Sequence, residues 1–141
     1  MRHVILISHG KFAPGLENAM SMLIGKRENV HCTSMLDGMG ADVYIKNFQD
    51  LIRDTVQQED QILLLGDLAE GSPMTNALNV LAEYGLLDNT IAFAGMNLPM
   101  VVTAAMLEGE MNAGEIEQAV LEESHHQLRT IKFGEDADDA I

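Results

Sequence analysis

Cysteine is almost missing from the 141 residues: Cys32 stands alone. One thiol forms no internal disulfide, and there is no CxxC pair or Cys/His cluster of zinc type. The expectation is a reduced, cytosolic protein without a structural metal. Basic residues are scarce as well. Eight Lys and Arg face 22 Asp and Glu, for a net charge of −14. Phosphate backbones need Lys/Arg neutralisation, so nucleic acid is a disfavoured partner. Acidic charge serves solubility, and it also steers a basic protein partner onto an acidic face. Long hydrophobic runs are missing too. The opening Met1-Arg2-His3-Val4-Ile5-Leu6-Ile7 is too short for a signal-peptide core and lacks a small-residue cleavage site. The longest weakly polar run, Ile91 to Leu107, contains Asn97 and Pro99. It falls short of the roughly 20 residues that a spanning helix needs. These absences predict a cytoplasmic chain with no direct membrane insertion, one that reaches a membrane only through a partner. There is no internal repeat and no linker. The length suits one domain with one core, placed at 1–134. The acidic run Glu135-Asp136-Ala137-Asp138-Asp139 reads as a solvated tail, 135–141.

What is present is an alternation of apolar runs and amphipathic stretches. Residues 2–8 form a short, β-branched-rich run ending at Gly10, which reads as a buried strand. A helix follows, with Pro14 in its first turn, Leu16, Ala19, Met20 and Leu23 on one face, and Gly25 at its end. Val30 to Met35 is less apolar, as suits a strand near a sheet edge, and Asp37-Gly38-Met39-Gly40 is a loop. Tyr44, Phe48, Leu51, Ile52 and Val56 mark a second helix by the 3.6-residue period. Ile62-Leu63-Leu64-Leu65 is continuous, the mark of a strand covered on both faces. Met74, Ala77, Leu78 and Leu81 give a third helix, with Ser72 as N-cap and Pro73 as first residue. Ile91 to Gly95 is a fourth strand. Helices over Asn97 to about Leu107 and Ala113 to about His126 follow, broken at Glu108-Gly109-Glu110. Leu128, Ile131 and Phe133 allow a last strand. Strands alternating with helices predict a doubly wound α/β fold on a mainly parallel sheet.

In such a sheet, ligands sit beyond the C-terminal strand ends, where the strand order reverses. His9 closes the first strand and Asp67 closes the third. If those strands are neighbours, both side chains enter one crevice. A neutral histidine nitrogen can attack a phosphoryl group and hold it as a labile phosphoramidate. Its other nitrogen then donates to an acceptor that sets the tautomer, a role open to Asp67. Backbone N–H groups where Gly71 and Ser72 open the third helix, and at residues 12–15, suit the phosphoryl oxygens. Each residue also has a plainer reading: His9 as a loop histidine, Asp67 as a turn-former, Ser72-Pro73 as a helix start. His3 and His31 lie within strands and read as structural or surface residues. His125 and His126 are adjacent on a helix, where side chains diverge, and no second cluster joins them. The ten methionines read mostly as core filler, some lining a partner surface near the crevice. Cys32 reads as an inert buried thiol.

Three motifs carry a resemblance. They are the apolar strand ending in Ser8-His9-Gly10, the strand ending in Asp67 with Gly71-Ser72-Pro73 four residues on, and Gly95-Met96-Asn97-Leu98-Pro99-Met100. Together, over roughly residues 2 to 126, they resemble the IIA domain of the mannose-type sugar phosphotransferase system (PTS). The resemblance implies that His9 takes a phosphoryl group from the phosphocarrier protein HPr and passes it to a separate IIB component. IIB would serve a membrane IIC/IID permease. It implies that Asp67 hydrogen-bonds the active histidine and that Gly71 and Ser72 sit against the phosphoryl group. No metal and no cofactor are called for. It further implies a four-stranded sheet of order 2-1-3-4 and a homodimer that exchanges a C-terminal antiparallel strand. One departure stands out: the family usually places a bulky residue and two glycines before the Ser or Thr, where this chain has Ala69, Glu70 and Gly71.

Other readings compete. The phosphocarrier subunit of dihydroxyacetone kinases shares the fold and histidine, but usually lacks the Gly-Ser-Pro turn. A small tetrapyrrole metal chelatase would use His9 as a ligand, with a second histidine at a later strand end. Histidine phosphatases carry Arg-His-Gly, where this chain has Ser8. An acidic regulatory module would leave His9 idle.

Overall fold

The computed structural model describes residues 1–134; the expected tail at 135–141 lies outside the described residues. Four strands, β1 (Arg2–His9), β2 (Val30–Met35), β3 (Gln61–Gly66) and β4 (Thr90–Phe93), form one parallel sheet in the order β2-β1-β3-β4. Five helices flank it: α1 (Phe12–Ile24), α2 (Ala41–Thr55), α3 (Ser72–Glu83), α4 (Leu98–Met106) and α5 (Ala113–His126). The doubly wound sheet is therefore as expected, with β2 at an edge.

Strand residues alternate between two cores. Val4, Leu6, Leu63 and Leu65 pack with Ala13 and Met20 of α1, Val101 and Ala104 of α4, and Ile116 and Val120 of α5. Ile5, Ile7, Ile62 and Leu64 pack on the other face with Phe48 and Ile52 of α2 and Ala77, Val80 and Leu81 of α3. Covering both faces is why β1 and β3 read as unbroken apolar runs. Each fully buried aliphatic side chain contributes about 1.5–3 kcal/mol.

The chain leaves β1 toward β2 and leaves β3 toward β4, in opposite directions across the sheet. The order thus reverses between β1 and β3, the two central strands. In the β1–β3 register Ile7 pairs with Gly66, so the last residues of both strands reach the same edge. At the opposite edge, His3 Nε2 bonds Asp60 Oδ2 at 2.9 Å beneath the core. Among the described residues no helix is long and apolar enough to cross a membrane.

Three expectations need correction. The inner face of α1 is set by Ala13 and Met20, with Leu16 and Ile24 beside them, while Leu23 is 64% exposed. Only the sheet's direction over α1 decides this, since both stripes have helical spacing. The third helix begins one residue earlier than expected: Gly71 is its N-cap and Ser72 its first residue, with Pro73 second. Gly71 takes φ +125°, a conformation closed to serine, so the cap position falls to the glycine. Residues 128–133 form no strand within this chain.

Candidate active site

Ser8 is fully buried, and its Oγ accepts the Ala13 N–H at 2.8 Å. That bond satisfies a first-turn donor of α1, which has no cap from its own N-cap residue Lys11. The turn between strand and helix needs Gly10 at φ +57°. The Gly10 N–H donates to the Met35 carbonyl at 2.8 Å and extends the β1–β2 ladder one step. His9 is thereby held between two anchored residues while its side chain stays 48% exposed.

Asp67 directly follows β3 and reaches His9 twice. Its Oδ2 accepts the His9 backbone N–H at 2.9 Å and lies 2.8 Å from His9 Nδ1. Its Oδ1 accepts the Leu68 N–H at 2.9 Å. Burial pushes the Asp67 carboxyl up, but the bonds from the His9 backbone, the His9 ring and Leu68 outweigh it and hold the group below its ordinary value. An ionised carboxylate only accepts, so Nδ1 carries the proton and donates. The lone pair of His9 is then on Nε2.

Gly71 stands at that outer edge of the ring. A Cβ added there would lie 3.3 Å from His9 Cε1 and 3.6 Å from Nε2. The glycine lets the opening of α3 approach the imidazole, and a side chain would fill the space. Ser72 is exposed, and its hydroxyl holds no hydrogen bond within the described residues. Pro73 has no N–H, so the donors that open α3 beside the ring are the amides of Gly71 and Ser72 and this hydroxyl. An anion on Nε2 would also meet the positive end of the α3 dipole.

Two supports were not legible as functional residues. Tyr44 of α2 is fully buried, and its hydroxyl donates to the Pro73 carbonyl at 2.9 Å. Burial, then the Asp67 charge, pushes its phenol well above the ordinary value. Its helical spacing marked it only as core. The second support is Gly95-Met96. The Met96 N–H donates to the Gly66 carbonyl at 2.9 Å, and the Gly95 N–H to the Asp67 carbonyl at 3.2 Å. Asn97 then caps α4, accepting the Met100 N–H at 2.9 Å, and ties α5 through the Ser124 carbonyl at 3.1 Å. This segment holds the backbone under Asp67.

His9, Asp67, Gly71 and Ser72 are thus gathered at one end of the sheet. His3 and His31 stand near its opposite end, with ring centroids 5.6 Å apart. His125 and His126 are exposed at the end of α5. Among the described residues no group of three or more His, Cys, Asp or Glu could hold a metal ion. Burial, helped by Glu17, pushes the Cys32 thiol up to about 11, which leaves it unreactive.

The family profile described as "PTS system fructose IIA component" (EIIA-man) matches residues 3–121. The fructose-specific EIIA component of Bacillus subtilis (strain 168) is 27% identical over 107 residues, covering 76% of this chain and 70% of that protein. The mannose/sorbose-specific IIA subunit from Enterococcus faecalis superimposes with a TM-score of 0.81 at 24% identity, over 95% of this chain and 97% of the other. A IIA protein associated with the fucose utilization operon of Streptococcus pneumoniae gives a TM-score of 0.75 at 22% identity, over 91% and 92% of the two chains. At such identities the two structures speak for the fold, and the profile match speaks for the lineage. The chain belongs to the EIIA-man family, the IIA phosphotransferase components of the sugar phosphotransferase system.

Proposed function

We propose that this chain is a phosphohistidine carrier in which His9 Nε2 accepts a phosphoryl group from phospho-HPr and hands it to a separate IIB component. The observation that carries the reading is the Nδ1–Asp67 contact at 2.8 Å, which leaves Nε2 free beside a glycine. As the P–N bond forms, positive charge grows on the ring 2.8 Å from the Asp67 carboxylate. The phosphoryl oxygens take the Gly71 and Ser72 amides and the Ser72 hydroxyl. Phosphoryl transfer needs mostly positioning and charge stabilisation, which this set supplies. Partner histidines would approach Nε2 past three exposed apolar residues at this end of the sheet: Phe12, the first residue of α1, and Leu36 and Leu68, which follow β2 and β3. The acidic surface steers a basic partner toward it. The chain works in the cytoplasm and serves the membrane IIC/IID permease only indirectly, through IIB, for sugar uptake.

Residues 1–134 act as one IIA domain in this reading. Leu128, Ile131 and Phe133 are 83%, 72% and 87% exposed, and β4 ends the sheet with one side unpaired among the described residues. An exchanged C-terminal strand in a homodimer would cover both, and the molar mass in solution tests that. The dihydroxyacetone kinase subunit is disfavoured by the Gly71 turn against His9. A chelatase is disfavoured because His9 has no second histidine at its end of the sheet among the described residues.

The test is intact mass after incubation with phosphoenolpyruvate, enzyme I and HPr. One acid-labile phosphoryl group is expected on the wild type and none on His9→Ala. No gain on the wild type with active HPr would overturn the reading.

A further inference from the structure

The loops that follow the four strands hold a single basic residue, Lys11, against Asp37, Asp67 and Glu70. Asp67 is committed to His9 and Leu68. Lys11 and Glu70 are exposed, and neither side chain has a hydrogen-bond or ion-pair partner among the described residues. Lys11 stands two residues beyond His9. Glu70 immediately precedes Gly71, the residue against the His9 ring. The other basic residues are elsewhere. Arg2 holds Gln61 and the Gly109 carbonyl at the far end of the sheet, and Lys26 and Arg27 follow α1. Lys46 and Arg53 pair with Asp50 on α2, and Arg129 and Lys132 follow α5.

A phosphoryl group on Nε2 brings a charge near −2 into this setting. Its P–N bond forms from the Nε2 lone pair as the donor's P–N bond breaks. The donor imidazole keeps that electron pair, and the Nδ1 proton of His9 stays on Nδ1, donated to the Asp67 carboxylate. No cation enters with the group, so the free charges on the two flanking loops decide how firmly it is held.

We propose that Lys11 and Glu70 set the phosphoryl-transfer potential of this chain as an opposed pair. Lys11 draws the phosphoryl group onto His9, and Glu70 weakens the hold so that the group moves on. This rests on the reading of His9 as the carrier. For exposed charges within roughly 10 Å of the phosphoryl oxygens, each changes the exchange equilibrium about three- to ten-fold at low salt. At ~0.5 M salt the effect nearly vanishes, since the screening length is then only a few ångströms.

The experiment mixes purified chain with phospho-HPr and measures both phosphoproteins at equilibrium by intact mass under alkaline conditions. Lys11→Gln should lower the phosphorylated fraction of this chain, and Glu70→Gln should raise it. The double variant should return close to wild type, and all differences should shrink with added salt. Equilibria unchanged in both single variants at low salt would overturn the proposal, as would shifts that persist at high salt. A wild type that takes no phosphoryl group would overturn the carrier reading, and this proposal with it; single variants that are phosphorylated at wild-type equilibrium would overturn only the proposal.

Discussion

Replacing Asp67 with asparagine keeps the size of the side chain and removes its charge. The carboxylate accepts three bonds, at 2.9 Å from the His9 backbone, 2.8 Å from Nδ1 and 2.9 Å from Leu68. An amide offers one acceptor oxygen and one donor NH2. If the oxygen serves His9, the NH2 faces the Leu68 N–H, donor against donor. If it serves Leu68, the NH2 faces both His9 donors. A lost charge-assisted bond and a stranded donor together cost stability of about 1–3 kcal/mol. The kinetic effect is larger. Imidazolium charge opposite a carboxylate at this range, half open to water, is worth about 2–3 kcal/mol at an intermediate dielectric. That predicts single-turnover phosphorylation by phospho-HPr about 30- to 150-fold slower. Rapid quench with mass detection reads the rate, and urea unfolding confirms that the variant is folded. A folded Asp67→Asn protein within threefold of the wild-type rate would refute both the tautomer and the charge argument.

Gly71→Ala places a Cβ 3.3 Å from His9 Cε1, at a backbone φ of +125°. It should lose about 1–3 kcal/mol in urea unfolding and be phosphorylated more slowly; full stability at the wild-type rate would contradict the close approach of the loop. Tyr44→Phe deletes the 2.9 Å bond to the Pro73 carbonyl and should cost about 0.5–1.5 kcal/mol, read from the same unfolding curves. Acid should weaken the fold through Asp60. Its burial is outweighed by bonds from Gln57, His3 and the N-terminal amine, which bring its carboxyl down to about 2 from 3.8. The folded pKa lies below the unfolded one, so the contribution is present above pH 4 and fades as pH falls toward 2. Asp60→Asn should flatten that part of the stability profile; an unchanged slope would remove Asp60 from it.

The alternation of apolar runs and 3.6-residue stripes determined the strands, the helices and their order, because each signal is local. β1 and β3 read correctly because strands covered on both faces must be apolar at every position. His9 and Asp67 could be picked out because each directly follows such a run, where a doubly wound sheet exposes its ligands. Only the tertiary structure decided the rest, because it depends on contacts between residues far apart in sequence. That β1 and β3 are neighbours, and so bring His9 and Asp67 to 2.8 Å, follows from strand order. Which stripe of α1 turns inward depends on the sheet beneath it, so Leu23 looked buried and is not. Ser72 looked like a cap by composition, but the approach to the His9 ring requires a glycine there. Tyr44 looked like core, and Gly95-Met96 entered only as the end of a strand and as part of a motif carrying the family resemblance. Their bonds to Pro73, Gly66 and Asp67 span 28 to 30 residues, beyond the reach of any local pattern.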